Sequence, residues 1–564
     1  MKNLYIAETH DLCKTYYNPK DKSTVHALRD VSFRLVLHSM TAVIGHNGSG
    51  KSTLLKLIAG IEKPSRGSVE FHCSGKPVIS YQPQYFSLYG DLTVGENISL
   101  YADLYGLKGA ERLERIQKLL AVSKLELFQD RQAKNLSGGM KRKLSLICTI
   151  LRTPDIWLLD EPTIGVDLVA QYDLFSMIYE LATEEKMSVV ITTNDLDEAE
   201  KCDYANIMKA GEILVGQEDM AASLEDCCYE IKAPTNYHPR LLQAAVSKIE
   251  SVADAAIDGS SVHITTYEPF RADMLDVPYF GKMPIFPRKE RLRDKYMRLR
   301  ANHGEAIVEE CEIEYARPVQ QENPIVIEVE HLDKKFGDFW AVKDVAFHVR
   351  RGEIFGILGF NGSGKTTLFR MMCGILSATG GKIRINGKLF SSRDNEARTQ
   401  IGYVAQAFSL YDSLTVKQNL AFFGGMYGLA GERLKKRMDD VEKLMHLQEY
   451  ENLLADKLSG GNRRRLSIAV GLIHEPQILF LDEPTAEIDM VGKRQLWQLL
   501  TAIAFKGTTI VVSTHFMGEA EYCDRVILQN KGKIIAQGSP QELRNYHGGT
   551  YKNMKEVFTA VLRD

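Results

Sequence analysis

A glycine-rich pattern, Gly-x-x-x-x-Gly-Lys-[Ser/Thr], constrains this chain more than any other feature because it occurs twice, at residues 45–52 and 359–366. In the second copy an apolar run, Ile354 to Leu358, precedes the glycines, and a helix-like segment, Leu368 to Leu376, follows them. Backbone N–H groups of such a loop turn toward phosphate, while its lysine reaches the β and γ oxygens and its hydroxyl can ligate Mg²⁺. Each half is therefore predicted to bind a nucleotide. The predicted binding residues are Gly45, Asn47, Gly48, Gly50, Lys51, Ser52 and Thr53 in the first half, and Gly359, Asn361, Gly362, Gly364, Lys365, Thr366 and Thr367 in the second.

The amino-acid composition limits the classes of protein to which this chain can belong. The chain has 564 residues, 44% of them hydrophobic and 25% charged, which is long enough for several domains with their own cores. A net charge of -3 gives no general attraction to nucleic acid or anionic lipid. No apolar run approaches the roughly 18 to 20 residues that cross a bilayer, and the first ten residues lack the apolar segment of a signal peptide. Nine scattered cysteines without metal-ligand spacing indicate a reducing, cytoplasmic setting.

The two halves repeat one another. Lys51 and Lys365 are 314 residues apart, whereas three later pairs of motifs share an offset of 322. The second half therefore carries eight additional residues near Ser391 to Ala397, which we expect to form a longer surface turn. Upstream of the loops, Tyr16 aligns with Phe336. Either ring could be partly buried edge packing, but the phosphate loops favour stacking on an adenine face.

Each half continues with a strand-like run that ends in a glutamine, Gln84 or Gln406. A carboxamide at this place can bind Mg²⁺ or the attacking water. The same four-residue segment follows in both halves, as Phe86-Ser-Leu-Tyr89 and Phe408-Ser-Leu-Tyr411. Their apolar side chains are either core filler or a docking surface for another subunit, and the sequence favours neither.

A Leu-Ser-Gly-Gly tetrad then occurs at the same spacing in both halves: its leucine lies 52 residues after the glutamine, and its serine lies 23 residues before an acidic pair. The tetrad is predicted to open a helix, whose free N–H groups and dipole favour an anion. The basic triplets that follow, at 141–143 and 463–465, are interpreted as a solvated helix face rather than a nucleic-acid contact. The residues predicted to bind phosphate here are Ser137, Gly138, Gly139, Ser459, Gly460 and Gly461.

The acidic pairs end apolar runs that are typical of buried parallel strands. Asp160 or Asp482, at the strand end, can hold the Mg²⁺ shell, and the next residue, Glu161 or Glu483, can orient and deprotonate water in line with the γ-phosphate. After a further strand, His515 of the second half can hydrogen-bond the γ-phosphate. At the matching place, fixed by a shared Glu-Ala-Glu, the first half has Asn194, which cannot titrate.

In this order, and twice, these motifs resemble the ATP-binding cassette (ABC) family, over roughly residues 5–220 and 325–545. The resemblance implies an α/β fold with two P-loop NTPase domains, each with a RecA-like α/β core, an antiparallel β subdomain and a helical subdomain. It also implies a head-to-tail pairing of the two domains within the chain around two ATP molecules with Mg²⁺. Ser459 and Gly461 would then complete the first site, and Ser137 and Gly139 the second.

Within the family the chain looks most like the ATPase components of drug-type exporters. That likeness implies two separate membrane permease subunits as partners, a peripheral place on the cytoplasmic face of the membrane, membrane contact only through the permease, and no nucleic acid. Two departures matter: Asn194 replaces the switch histidine, and Glu487 stands where a glycine is usual. Both fall on the first site of the head-to-tail pair, so we expect that site to bind ATP but hydrolyse it slowly. Asp167 and Asp489 could bridge to the opposite half.

The expected domains are a first nucleotide-binding domain (1–225), a small α+β extension (226–267), a linker with a short basic helix (268–323), a second nucleotide-binding domain (324–545) and a tail helix (546–564). The prolines of the linker indicate an irregular connection, and its basic helix, Arg288 to Arg300, is interpreted as solvated, with packing on a cassette or contact with anionic lipid as alternatives.

A different class of function is open, namely a soluble tandem cassette that works on ribosomes. Such proteins usually join their cassettes with a long, charged, two-helix linker, whereas this linker is interrupted by prolines. A DNA-repair ATPase is disfavoured because no zinc-binding set of cysteines is present.

Overall fold

The computed structural model describes residues 4–18, 23–46, 48–73, 75–85, 87–166, 168–216, 227–234, 237–270, 273–302, 324–390, 399–486, 488–549 and 551–561. The chain forms two compact units, Met1–Leu224 and Glu225–Asp564. The longer turn predicted near Ser391 to Ala397 lies outside the described residues. Within the described ranges, no helix combines the length and the apolarity that a membrane crossing requires.

The first unit combines two sheets. Its strands are β1 (Tyr5–Asn18), β2 (Ser23–Val31), β3 (Arg34–Val36), β4 (Met40–Ile44), β5 (Arg66–Phe71), β6 (Ile79–Gln82), β7 (Ile156–Asp160), β8 (Ser188–Thr193), β9 (Tyr204–Lys209) and β10 (Glu212–Val215). The larger sheet has the order β10-β9-β4-β8-β7-β6, parallel from β9 to β6, and the smaller antiparallel sheet joins β1 to β2, β3 and β5. Strands β4, β7 and β8 are buried along their whole length, which explains their continuous apolar runs.

Helices flank the larger sheet of the first unit. They are α1 (Lys51–Ile58), α2 (Val94–Leu104), α3 (Gly109–Ser123), α4 (Gly138–Thr149), α5 (Leu168–Glu184) and α6 (Leu196–Ala199). Thr93 caps α2 together with Glu96, because each side chain accepts a hydrogen bond from the other residue's backbone N–H. Leu144, Ile147 and Leu174 join Trp157 of the sheet in one core, so the helical part is anchored on the strand that carries the acidic pair.

The second unit begins with a small α+β fold, called here the accessory domain (residues 227–302). Its elements are β11 (Cys228–Lys232), α7 (Pro239–Val246), β12 (Val252–Asp258), β13 (Ser261–Thr266), β14 (Met274–Val277), β15 (Gly281–Pro284), β16 (Phe286–Pro287) and α8 (Leu292–Asn302). Strands pair in the order β12-β13-β11-β16, and β14 and β15 form a separate hairpin. Ile231, Leu242, Val262 and Ile264 are buried together, which gives the accessory domain a core of its own.

The rest of the second unit, called the second cassette (residues 324–545), repeats the first unit. Its strands are β17 (Ile325–Phe336), β18 (Phe339–Arg350), β19 (Ile354–Gly359), β20 (Gly380–Ile385), β21 (Lys388–Leu389), β22 (Ile401–Val404), β23 (Ile478–Asp482), β24 (Thr509–Thr514), β25 (Arg525–Asn530) and β26 (Lys533–Gly538). Its helices are α9 (Lys365–Met372), α10 (Val416–Met426), α11 (Gly431–Leu444), α12 (Gly460–Leu472), α13 (Met490–Phe505) and α14 (Pro540–Arg544), and α15 (Met554–Val561) follows it. The sheet order β22-β23-β24-β19-β25-β26 is that of the first unit, so the internal repeat predicted from the sequence is a structural repeat.

The linker differs from the expectation of an irregular, solvated connection. Residues 274–287 form the β14–β15 hairpin and strand β16, and Tyr296, Met297 and Arg298 of α8 are buried. The basic side chains are neutralised locally, since Arg288 pairs with Asp294 at 2.6 Å and Arg298 with Glu290 at 2.6 Å. The sequence shows the excess of positive charge but not the partners that allow its burial. The domain boundaries expected from the sequence stay a prediction.

His238 joins the accessory domain to the second cassette. Its Nε2 lies 2.9 Å from the carbonyl oxygen of Cys523, and its Nδ1 accepts from the backbone N–H of Arg240 at 3.2 Å. Burial, reinforced by the charge of Arg240, lowers the pKa of His238 to about 4. A neutral ring with its proton on Nε2 satisfies both hydrogen bonds.

Acidification is expected to destabilise the second unit through His238 by about 3 kcal/mol in total. The unfolded ring, with an ordinary pKa of 6.5, takes up a proton before the folded ring does, so the free energy of unfolding falls as the pH drops from about 6.5 to about 4. Denaturant titrations of the full chain between pH 8 and pH 4 measure this decline. His238→Gln should show a shallower decline than the parent, and equal slopes would contradict the assignment.

Candidate functional site

The two phosphate loops have the backbone that the sequence pattern predicts. Gly50 and Gly364, directly before α1 and α9, have φ of 104° and 102°, in the left-handed region that favours glycine. A Cβ atom on Gly50 would lie 2.5 Å from the carbonyl oxygen of Ala27, and one on Gly364 would lie 2.2 Å from that of Ala341. Both loops are therefore restricted to glycine here by conformation and by space.

Each loop lysine crosses its own loop. Lys51 donates to the carbonyl oxygens of Gly45 at 2.6 Å and His46 at 3.0 Å, and Lys365 donates to those of Gly359 at 2.8 Å and Phe360 at 3.0 Å. Both ammonium groups are almost fully buried. The positive charge is thereby held at the start of a helix, where a phosphate would also meet the helix dipole.

The acidic pairs lie where parallel strands end. Asp160 ends β7 and Asp482 ends β23, and the residues that follow, Glu161 and Glu483, both have φ of 46°. A left-handed backbone costs a non-glycine residue roughly 1 kcal/mol or more and is concentrated at functional sites. The two glutamates have this conformation at equivalent positions of the two cassettes.

In the second cassette the glutamate is surrounded by the residues predicted to work with it. Gln406 donates to Oε2 of Glu483 at 2.9 Å, Nδ1 of His515 lies 3.2 Å from Oε1, and the Lys365 ammonium lies 3.9 Å from the same oxygen. Burial would raise the pKa of Glu483, but His515 and then Lys365 and Arg464 outweigh it and leave the pKa below its usual value. Glu483 is therefore ionised at neutral pH, as a group that orients and deprotonates water must be.

In the first cassette Asn194 joins the lysine directly to the glutamate. Its Oδ1 accepts from Lys51 at 2.9 Å, its Nδ2 donates to Oε1 of Glu161 at 3.2 Å, and Lys51 itself lies 3.3 Å from that oxygen. Gln84 donates to the other carboxylate oxygen at 3.1 Å. The two cassettes thus assemble the same set of residues, but the switch position contributes an amide in one and an imidazole in the other.

The donor atoms fit Mg²⁺, a hard cation that takes oxygen ligands. In the first cassette the Ser52 hydroxyl donates to Oδ1 of Asp160 at 3.0 Å, so a hydroxyl and a carboxylate already meet. Gln84 adds a carboxamide oxygen in the first cassette, and Thr366, Asp482 and Gln406 supply the same three types of oxygen in the second. Burial, and next the charge of Glu483, raise the pKa of Asp482, while a hydrogen bond from Ser513 opposes this.

A buried arginine in each cassette was missed by the sequence interpretation of the basic triplets. Arg142 and Arg464, the middle residues, are buried, so the solvated-face interpretation is wrong for them. Arg464 donates to the carbonyl oxygens of Ala405 at 2.6 Å and Asp482 at 2.7 Å, and Arg142 donates to that of Gln84 at 3.0 Å. These bonds fix the glutamine loop against the acidic strand. The available signal was that arginine occupies the middle of both triplets.

Both tetrads open a helix, as predicted. Ser137 precedes α4 and accepts from the backbone N–H of Met140 at 3.3 Å, and Ser459 precedes α12 and accepts from that of Asn462 at 3.3 Å. Both serines and the glycines after them, Gly138 and Gly460, are exposed, while Gly139 and Gly461 are half-buried. In the described parts of the chain, neither serine hydroxyl contacts the phosphate loop of its own cassette.

The two aromatic candidates are partly exposed, Tyr16 by 37% and Phe336 by 49%. The Tyr16 hydroxyl donates to Oε2 of Glu62 at 2.6 Å. Burial, and then this bond, raise the pKa of Tyr16, whereas a hydrogen bond with Thr53 opposes the rise. Tyr16 therefore stands beside the helix that begins at the phosphate loop.

Several predicted residues lie outside the described part of the chain and keep their roles only as predictions. They are Asn47, Phe86, Asp167 and Glu487.

Comparison with known proteins covers both halves. The family described as "ABC transporter" matches residues 28–164 and 342–486. A probable multidrug ABC transporter ATP-binding protein, YbhF of Escherichia coli (strain K12), is 38% identical over 543 residues, which are 93% of this chain and 93% of that protein. The chain belongs to the ABC transporter family. This ABC protein is therefore an ATPase with two nucleotide-binding domains of the P-loop NTPase fold.

Other relatives match one half of this ABC ATPase. The Nod factor export ATP-binding protein I of Ralstonia nicotianae is 38% identical over 225 residues, which are 40% of this chain and 70% of that protein. The structure of cbiO1 from Clostridium perfringens, part of the ABC transporter complex cbiONQ, is 32% identical, covers 40% of this chain and 92% of its own, and has a TM-score of 0.38.

Proposed function

We propose that this chain is the ATP-hydrolysing motor of an exporter whose membrane permeases are two separate chains. The observation that carries the proposal is the similarity over 93% of the chain to a probable multidrug ABC transporter ATP-binding protein, combined with a matched set of nucleotide-site residues in each cassette. The transported compound would be selected by the permeases, since a fold and a motor do not define a substrate.

In this proposal the two cassettes pair head to tail and close on two ATP molecules. Tyr16 and Phe336 stack on the adenines, the loop lysines bind the β and γ phosphates, and the helix start of one cassette completes the phosphate site of the other. The exposed, capped starts of α4 and α12 support this, because a helix N-terminus with free N–H groups binds anions. Closure and reopening would then drive the permease.

The second cassette would carry the faster hydrolysis. Glu483 holds and deprotonates the attacking water, Gln406 orients the carboxylate, and His515 stabilises the γ-phosphate next to it. When bound to Ser52 and Asp160, or to Thr366 and Asp482, Mg²⁺ would neutralise charge on the phosphate oxygens. The role of Glu483 is supported by its place between Gln406, at 2.9 Å, and His515, at 3.2 Å.

The first site would bind ATP and hydrolyse it slowly. Asn194 holds Lys51 and Glu161 to each other, and its amide cannot exchange a proton. The site then has a binding role, and the pair of sites is functionally unequal.

Docking of the permeases would involve the loops after Gln84 and Gln406. A buried asparagine fixes each loop: Asn97 accepts from the backbone N–H of Tyr89 at 3.0 Å and donates to its carbonyl oxygen at 3.1 Å, and Asn419 holds Tyr411 in the same way. The Tyr89 ring is 57% exposed and the Tyr411 ring 48%. Exposed aromatic rings on a backbone that is held in this way are typical of interfaces.

Affinity purification from detergent-solubilised membranes tests this proposal. We expect the tagged chain to recover two integral membrane proteins and to lose them when Tyr89 and Tyr411 are both changed to serine. Tyr179→Ser, which alters a ring 52% exposed on α5, is the matched control and should keep both partners. Salt-resistant sedimentation with ribosomes, without membrane partners, would instead support the ribosomal alternative, which the relatives do not favour.

A further inference from the structure

The accessory domain contacts the second cassette at the segment that follows the switch histidine. This segment consists of the 3₁₀ helix Met517–Tyr522 with Cys523 and Asp524. Arg240 donates to the carbonyl oxygen of Tyr522 at 2.8 Å and to the Asp524 carboxylate at 2.9 Å. Asp524 in turn accepts from the backbone N–H of Ile354 at 2.8 Å, the first residue of β19, which leads into the phosphate loop. One arginine of the accessory domain is thus connected to both the switch segment and the phosphate-loop strand.

The hydroxyl of Tyr522 forms a second contact between the accessory domain and the second cassette. It accepts from Arg494 of α13 at 2.8 Å and from Gln243 of the accessory domain at 3.2 Å. Arg494 also pairs with Asp254 of the accessory domain at 3.2 Å, and the Tyr522 ring stacks on Trp497 with centroids 4.8 Å apart. All of these side chains are buried, so the network is shielded from solvent and salt.

The held segment is connected to the reacting groups. Glu519, inside the 3₁₀ helix, accepts from Thr514, which precedes His515, at 2.7 Å. Its other oxygen accepts from Thr485, which lies two residues after Glu483. A displacement of the segment therefore moves both the switch residue and the acidic turn, whose relative placement a transition state requires to within a fraction of an ångström.

Among its described residues, the first cassette has no counterpart of these contacts with the accessory domain. Counted from the shared Glu-Ala-Glu, Lys201 stands where the second cassette has Tyr522. Counted from the acidic pairs, Tyr172 stands where the second cassette has Arg494. The Lys201 ammonium lies 4.2 Å from the centroid of the Tyr172 ring, and the lysine is exposed. Asp203 accepts from the backbone N–H of Met40 at 2.8 Å, as Asp524 does from Ile354, and it is exposed as well. The bond from this aspartate to the first residue of the phosphate-loop strand is therefore present in both cassettes. The contacts among Arg240, Asp254, Arg494 and Tyr522 are an addition in the second cassette.

We propose that Arg240, Asp254, Arg494 and Tyr522 are positioning residues for hydrolysis at the second site, and that the accessory domain braces His515 and Glu483 in the geometry that hydrolysis needs. The inference rests on the proposed function, in which the second site is the faster one. Such a brace acts in the transition state more than in ATP binding, so its loss lowers kcat and leaves KM for ATP nearly unchanged.

Steady-state ATP hydrolysis by the full chain, in a Glu161→Gln background that restricts the first site, tests the brace. Tyr522→Phe removes only the hydroxyl and keeps the stacked ring, so the fold should survive. We expect kcat to fall about 10-fold with KM within about twofold, as expected for a misplacement of a fraction of an ångström. Arg240→Gln should act likewise, and Arg240→Lys should recover part of kcat because it keeps the charge beside Asp524.

Lys201→Gln is the matched control, because it changes the corresponding position of the first cassette, and it should leave both constants unchanged. Parent-like kcat in Tyr522→Phe and Arg240→Gln overturns the inference, and so does a rise of KM alone. A loss of kcat accompanied by an equal loss in Lys201→Gln also overturns it. Failure of the proposed function is separate: Glu483→Gln would then retain its turnover whatever the brace variants do.

Discussion

Glu483→Gln is expected to reduce ATP turnover of the full chain by at least about 100-fold, because a positioned general base contributes roughly 10²- to 10⁴-fold to such a reaction. Glu161→Gln, the same change in the other cassette, is expected to retain at least about a tenth of the parent rate. The reason lies in the switch position. His515 stands 3.2 Å from the Glu483 carboxylate, whereas Asn194 ties Glu161 to Lys51.

Purified protein and a phosphate-release assay are sufficient for this comparison. Each glutamine variant keeps the shape of the site, and binding of a fluorescent ATP analogue should be retained in both. Equal losses in the two variants would contradict the inequality of the sites. A larger loss in Glu161→Gln would reverse the assignment of the faster site.

Ser137→Arg is expected to be almost as damaging as Glu483→Gln, although the two residues belong to different cassettes. In the proposed head-to-tail pairing the start of α4 would complete the phosphate site of Lys365, and a long side chain there would prevent closure. Ser459→Arg, which blocks the slower site, should retain most of the turnover. The readout is the same phosphate-release assay, with size and unfolding temperature measured to exclude misfolding.

The alanine variants separate blockage from loss of the helix cap. Ser137→Ala and Ser459→Ala each remove one capping hydrogen bond, which is worth about 1 kcal/mol, and should cost equal stability in the two cassettes. If Ser459→Arg proved the more harmful of the arginine variants, each helix start would serve its own cassette, and the head-to-tail proposal would be wrong.

The local parts of the fold and of the candidate site could be predicted from the sequence. The glycines of the phosphate loops, the buried acidic strands and the helix starts at Ser137 and Ser459 follow from patterns of a few neighbouring residues, because backbone conformation is decided largely at that range. Because the sequence repeats, each pattern was expected in both halves, and the two larger sheets have the same strand order.

Contacts between distant residues could not be predicted in the same way. Arg494 pairs with Asp254, 240 positions away, and nothing in either neighbourhood indicates the other. Arg464 looked solvated because the residues on either side of it are basic, and its carbonyl partners are supplied by two separate strand ends. The solvated interpretation of the basic helix α8 was wrong for the same reason, since single-sequence patterns report charge but not which acidic side chain neutralises it. The alternative, packing on a cassette, agrees with the contact of 3.7 Å between Arg300 and Asp489.

The division of the chain after Leu224 has a consequence for synthesis on the ribosome. Residues 1–224 form a compact unit that can fold as soon as they emerge, but the face of the accessory domain that carries Arg240 and Asp254 pairs with Arg494, Tyr522 and Asp524 of the second cassette. At about 5 to 20 residues per second, that face waits on the order of half a minute for them. Premature termination in this window would leave a buried arginine–aspartate surface open to water and to neighbouring chains, so truncated products ending between 302 and 520 should be recognised by chaperones and proteases more readily than a product that ends at 224.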